Sequence, residues 1–275
     1  MKKLLVLICA LCGVSPLAAS GQMTGHHPAP TTIVNETFQP AFIMPAMGRI
    51  AGSAGVFRSS MQVCNDRQLA QDIDVYWYPS GSSGSASTPV TTISMPATYC
   101  SYWDDFVSTV LNTSGLGTAE FVGVFTGTHV RDTGAMIEGY SRIWSVQGST
   151  GGTMSQSFDS VAENFLATNS TAMIRGVRQD AQFHSNIGIA NISPVERTFA
   201  VHIYGSSSAP PAPQGDFTVT VPAYSLVQTP IPAGVWNVAN LYITPQGTGT
   251  GQWVAYGSSV DNTTGDAWSN NAFRY

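Results

Sequence analysis

Residues 72–78 read Asp72-Ile73-Asp74-Val75-Tyr76-Trp77-Tyr78, and residues 198–204 read Thr198-Phe199-Ala200-Val201-His202-Ile203-Tyr204. In each, every second residue is apolar. The first set is Ile73, Val75 and Trp77, and the second is Phe199, Val201 and Ile203. A strand turns successive side chains to opposite faces, so a period of two predicts a half-buried β-strand. A slip of one residue would bury Asp72 and Asp74, so the apolar set is the core face.

The two stretches lie 126 residues apart (198 − 72), and the same offset joins other segments. Phe57-Arg58-Ser59-Ser60-Met61-Gln62-Val63-Cys64-Asn65 falls on Phe183-His184-Ser185-Asn186-Ile187-Gly188-Ile189-Ala190-Asn191. Ile93 to Ala97 falls on Val219 to Ala223. Further on, Ile137 to Trp144 best matches Val254 to Asp261, where the offset drops to 117. Gly/Ser/Pro-rich stretches from Pro79 to Pro89 and from Gly205 to Gly215 read as hairpin loops between equivalent strands. Gly247 to Gly251 reads as a further hairpin tip. The expected fold is all-β: two tandem antiparallel β-sandwich repeats, spanning 41–158 and 173–275. The connector 159–172 carries a weak helix signal from Asp159 to Leu166.

The N-terminus reads as an export signal over residues 1–20. Lys2 and Lys3 precede an apolar run, Leu4 to Val14, too short for a helical membrane span of about 20 residues. Small residues Ala18, Ala19 and Ser20 then predict cleavage before Gly21. Residues 21–40 have little periodicity and read as a flexible leader. Cleavage removes two of 11 basic residues and leaves 9 against 16 acidic, a net charge of −7. The remainder has no lysine, so no Schiff-base or P-loop lysine exists there, and nucleic-acid binding is not expected. No second apolar run is long enough for a transmembrane helix. Secretion, the periplasm or the cell surface is the expected location.

Cys9 and Cys12 leave with the signal, so Cys64 and Cys100 remain. In an oxidising compartment a lone pair is expected to form a disulfide; two free buried thiols are the alternative. At the offset of 126 these positions correspond to Ala190 and Leu226, so both cysteines are absent together from the second half.

Phe183 to Asn191, then Val221-Pro222-Ala223-Tyr224-Ser225, then Ala255-Tyr256-Gly257-Ser258-Ser259-Val260-Asp261-Asn262 through Gly265-Asp266, resemble a repeat of exported bacterial proteins of unknown role. The resemblance covers most of the second half and, more faintly, the first. The first half departs after Ser141, where Trp144 stands in place of the Asp. The resemblance implies an immunoglobulin-like sandwich and carries over no catalytic residues.

Direct signs of chemistry are few. No G-x-S-x-G and no H-E-x-x-H occurs. Asp104 and Asp105 are adjacent and suit a turn better than a general acid–base pair. His184 and His202 fall on non-core faces, as metal ligands if their strands are neighbours or otherwise as solvated histidines. Asp261 and Asp266 bound a segment with several oxygen ligands for a hard cation, with an Asx-rich turn as the alternative. Tyr76, Tyr78 and Tyr204 are expected on outward faces, with Tyr102 and Trp103 near a strand end. Exposed aromatics stack on sugars or anchor proteins, unless the other half covers them. The expected function is therefore a non-catalytic exported module that binds a glycan or a surface protein and needs no cofactor. The alternative is a structural subunit of a cell-surface assembly.

Overall fold

The computed structural model describes residues 33–34, 41–52, 55–124, 129–130, 137–147, 151–162, 168–205, 215–249 and 251–274. The first half runs β1 (Ile33–Val34), β2 (Ala41–Gly52), β3 (Gly55–Asn65), β4 (Gln71–Pro79), β5 (Thr91–Met95), β6 (Tyr99–Trp103), α1 (Phe106–Thr109), β7 (Gly115–Val124), β8 (His129–Val130), β9 (Ile137–Val146), β10 (Thr153–Asp159) and β11 (Val161–Ala162). The second runs β12 (Ala172–Gln179), β13 (Phe183–Ile192), β14 (Arg197–Gly205), β15 (Gly215–Val221), β16 (Ser225–Pro230), β17 (Trp236–Pro245), β18 (Gln252–Asp261), β19 (Ala267–Asn271) and β20 (Phe273–Arg274). The all-β, antiparallel, sandwich-like class expected from the alternation is the observed one.

In the first half, β5-β4-β7-β2-β11 and β6-β3-β9-β10 lie side by side in the pairing order. The tip of the β2–β3 hairpin, Arg49 to Gly52 against Gly55 to Arg58, joins them into one continuous sheet of nine strands. In the second half the corresponding sets, β15-β14-β17-β12-β20 and β16-β13-β18-β19, are separate sheets. The order is the same in both halves. β2 bulges against β7 between Met44 and Met47, and β12 bulges against β17 between Ile174 and Val177.

The alternating apolar residues are where their period places them. Ile73, Val75, Phe199, Val201 and Ile203 are fully buried, while Trp77 is half-buried at the edge of the first core. The second core lies between its two sheets and includes Ile187, Ile189, Leu241, Trp253 and Ala255. The other face of that second-half sheet is buried too. Ala190, Leu226, Val254 and Tyr256 belong to the first half's hydrophobic cluster, and their strands touch β2, β4 and β7. We call β16-β13-β18-β19 and β5-β4-β7-β2-β11 the proximal sheets, because they face each other across the halves. The other two sets are distal.

Polar groups close this junction. Ser225 Oγ donates to the Pro79 carbonyl at 2.8 Å, and Gly81 N donates to the Leu226 carbonyl at 2.9 Å. Tyr78 stacks on Tyr224 with ring centroids 5.5 Å apart. At the rim, β10 and β19 are both edge strands. Gln156 Nε2 donates to the Trp268 carbonyl (2.9 Å) and Asn271 Nδ2 to the Asp159 carbonyl (2.9 Å). Side-chain amides thus satisfy carbonyls that an exposed edge would offer to another chain.

Several expectations are corrected. Val161–Ala162 in the connector pairs with Phe42–Ile43 as a strand, not a helix, while residues 163–166 of the expected helix lie outside the described residues. Among the described residues the helix is α1, one turn capped by Asp105, whose carboxylate accepts from Ser108 N at 3.4 Å. Ile33 and Val34, in the expected flexible leader, pair with β8; the signal segment and the rest of the leader lie outside the described residues. Gly247 to Gly251 is no hairpin tip, since β17 and β18 belong to different sheets and the segment crosses between them. Buried Arg197 holds this crossing through the carbonyls of Gly249 and Gly251. Finally, Asn65 pairs with Ile137 as Asn191 pairs with Trp253. The equivalence is therefore 116 residues (253 − 137), one fewer than the sequence match suggested, and it sets Tyr140 on Tyr256.

Candidate functional site

The tyrosines expected to face outward are largely covered. Tyr78 has no exposed surface, because the second half lies over it. Its hydroxyl donates to Glu120, and burial beside that carboxylate pushes its pKa well above the ordinary tyrosine value. Tyr76 is half-buried on the same proximal face, and burial, then Asp74 and Glu120, raise its pKa. Tyr204 is half-buried on the distal face of the second half, edge-on to Tyr242 with centroids 5.0 Å apart. The three do not form one site. A strand's outward face is solvent only if no further layer covers it, and alternation alone does not carry that information.

The polar candidates resolve into local structure. Asp261 accepts hydrogen bonds from Thr263 N (2.7 Å), Thr264 N (3.2 Å) and Gln182 Nε2 (3.1 Å), and Asp266 accepts one from Ala267 N (3.1 Å). These are the bonds of an Asx turn, and the backbone donors hold the Asp261 carboxyl below its ordinary pKa. Among the described residues no three His, Cys, Asp or Glu side chains are grouped to hold a metal. His184 and His202 lie in different sheets, bonded to Asn262 and Asp216 respectively. Trp103 turns inward onto Phe106 at 5.2 Å.

Cys64 and Cys100 form a disulfide across β3 and β6, where they are direct cross-strand partners. Ala190 and Leu226 are direct partners across β13 and β16. In the second half that pair is buried under the first half. In the first half the same place is on the distal face and is tied covalently.

That distal face is the best candidate. On β3 the residues opposite the core-facing Met61 and Val63 are Arg58, Ser60, Gln62 and Cys64. The pairing of β6, β3 and β9 sets them in rows. One row is Tyr102–Gln62–Tyr140, and the row two residues along holds Ser60 and Arg142. The next holds Arg58 and Trp144, and the opposite end holds Cys100–Cys64–Glu138. Strands lie about 4.8 Å apart, so Tyr102 and Tyr140 stand roughly 10 Å apart with Gln62 between them. Tyr102 is 64% exposed and Tyr140 43%. The Tyr140 hydroxyl donates to Ser157 Oγ at 2.6 Å, which fixes the ring.

At the basic end, the Arg58 guanidinium lies 4.0 Å from the Trp144 ring centre and that of Arg142 lies 5.9 Å from it. Arg142 is held by a 2.7 Å bond to Thr153 Oγ1. Glu138, at the far end, is pushed above its ordinary pKa by burial and then by Asp66.

The equivalent row in the second half is Gln228–Gly188–Tyr256, in which Gly188 and Tyr256 are buried in the junction while Gln228, which accepts from the Tyr256 hydroxyl at 2.6 Å, stays at its exposed rim. A Cβ on Gly188 would meet the Tyr256 ring at 2.2 Å, so glycine lets that ring lie flat on the sheet. Gln62 stands in the glycine's place in the first half, and Tyr140 remains in solvent. Only Tyr102 of this exposed set was singled out from sequence. The signal for the rest is the alternation in residues 137–144, which puts Glu138, Tyr140, Arg142 and Trp144 on one face.

No family model matches the chain, and no curated protein or solved structure matches it with significance.

Proposed function

We propose that the chain is an exported, non-catalytic binding module, and that its ligand is a glycan seated on the distal face of the first half. The observation that carries this reading is the exposed row Tyr102–Gln62–Tyr140. Two aromatic rings with an amide between them, on one sheet face, offer C–H stacking and hydrogen bonding in alternation, which is what sugar rings present. A protein-binding hot spot favours an apolar centre, whereas the exposed Gln62 and Ser157 keep this one polar. The disulfide agrees with export, because such bonds persist in oxidising compartments. Among the described residues no helix is long and apolar enough to cross a membrane.

We also read the halves as two immunoglobulin-like copies of one sandwich. Their shared strand order, equivalent bulges and matched pairs Cys64–Cys100 and Ala190–Leu226 support this. The alternative, a subunit that assembles through edge strands, draws less support. β10 and β19 bond to each other, and residues 80–84 cover the edge of β16.

The test is a glycan array probed with the protein and with Tyr102→Ala and Tyr140→Ala. Binding that both variants weaken by about tenfold or more supports the reading, in line with the energy of an aromatic contact. Array binding that neither variant alters removes this face from the account.

A further inference from the structure

We infer that the glycan recognised on this face is anionic, carrying carboxylate or sulfate groups that dock on the Arg58–Trp144–Arg142 cluster. This inference rests on the glycan reading above. The chain has 11 basic against 16 acidic residues, so two arginines gathered around one indole ring are a local reversal of its overall charge.

Other arginines are engaged elsewhere. Arg49 pairs with Asp105 and Arg178 with Asp180, while Arg67 and Arg197 are buried. Among the described residues the acidic group paired with Arg58 is the exposed Asp104 carboxylate, at 3.9 Å. Its stacking on Trp144 and the Thr153 bond of Arg142 preorganise both guanidiniums, leaving other N–H groups to receive an oxyanion.

The face is also polarised along the strands. Six residues separate Arg58 from Cys64, so the basic end lies about 20 Å from the Cys64–Glu138 row, beyond a Debye length at physiological salt. An acidic chain would lay a charged unit on the arginines and a neighbouring sugar between Tyr102 and Tyr140. The side of the face at Glu138 would repel a second charge.

The experiment compares one backbone with and without its charge. Binding is measured at about 0.15 M salt to polygalacturonate and to its fully methyl-esterified form, and in a parallel arm to dextran sulfate and dextran. Each is repeated with Arg58→Gln/Arg142→Gln and with Tyr102→Ala, after matched thermal midpoints establish that the variants fold. At least one acidic polymer is expected to bind about tenfold or more tightly than its neutral partner. That preference should weaken with added salt and fall to parity in the double arginine variant. The arm that responds identifies carboxylate or sulfate.

Equal binding of acidic and neutral partners, weakened by Tyr102→Ala, would overturn the anionic inference and leave the glycan reading standing. An acidic preference that survives loss of both arginines would likewise overturn it. Binding to no polymer, here or on the array, would remove both.

Discussion

Tyr78 and Tyr102 are both tyrosines on outward strand faces, and their environments make them opposites. Tyr78 is sealed beneath Tyr224 and bonded to Glu120. Its truncation, Tyr78→Ala, is expected to cost about 3–5 kcal/mol through lost burial, a residual cavity and an unpaired carboxylate. Tyr102→Ala, at an exposed position, should stay within about 0.5 kcal/mol while ligand binding falls. Urea unfolding of the two variants separates them, and equal costs would mean that the halves do not meet as described. Asp261 gives a residue-scale test by pH. Its folded pKa is depressed, so the turn's stabilisation is present above the ordinary aspartate value of 3.8 and lost as pH falls through the lower folded value. Carboxyl carbon shifts in NMR should show a midpoint below 3.8, unmoved by added calcium. A calcium-dependent midpoint would show that the turn also holds a cation.

The alternation at 73–77 and 199–203 was legible because each of those strands has one buried and one more open face. The pairing of Cys64 with Cys100 followed from count and compartment. β2 was not legible: residues 42–48 are buried on both faces, so its apolar run, Phe42 to Met47, has no period of two. The one-residue error between β9 and β18 arose similarly, since residues 253–259 are all buried and give no alternation to align. That slip matters, because a strand shifted by one exchanges its faces, and it hid the match of Tyr140 with Tyr256. The site itself was half visible, through Tyr102 alone. Two variants test the elements. Cys64→Ala/Cys100→Ala should lose about 3–4 kcal/mol, the chain-entropy value for a 36-residue separation, when unfolding is followed in urea. An unchanged midpoint would mean that β6 is held by its ladder alone. Gly188→Ala should cost about 1–3 kcal/mol by pushing Tyr256 off the sheet.

At the scale of the whole molecule, the central strands β13 and β18 of the second half's proximal sheet are buried on both sides, against their own core and against the first half. The halves therefore form one body, and the face equivalent to that junction is left to solvent on the first half. The ligand reading depends on this asymmetry, because a pair of loosely tethered sandwiches would expose Tyr256 and Tyr78 as well. Differential scanning calorimetry of the native protein alongside Phe199→Ala and Tyr256→Ala tests it most directly. One transition is expected, with equal calorimetric and van't Hoff enthalpies, and both variants should lower it as a unit. Two resolved transitions, with Phe199→Ala moving one and leaving the other fixed, would contradict the shared body and the assignment of the free face built on it.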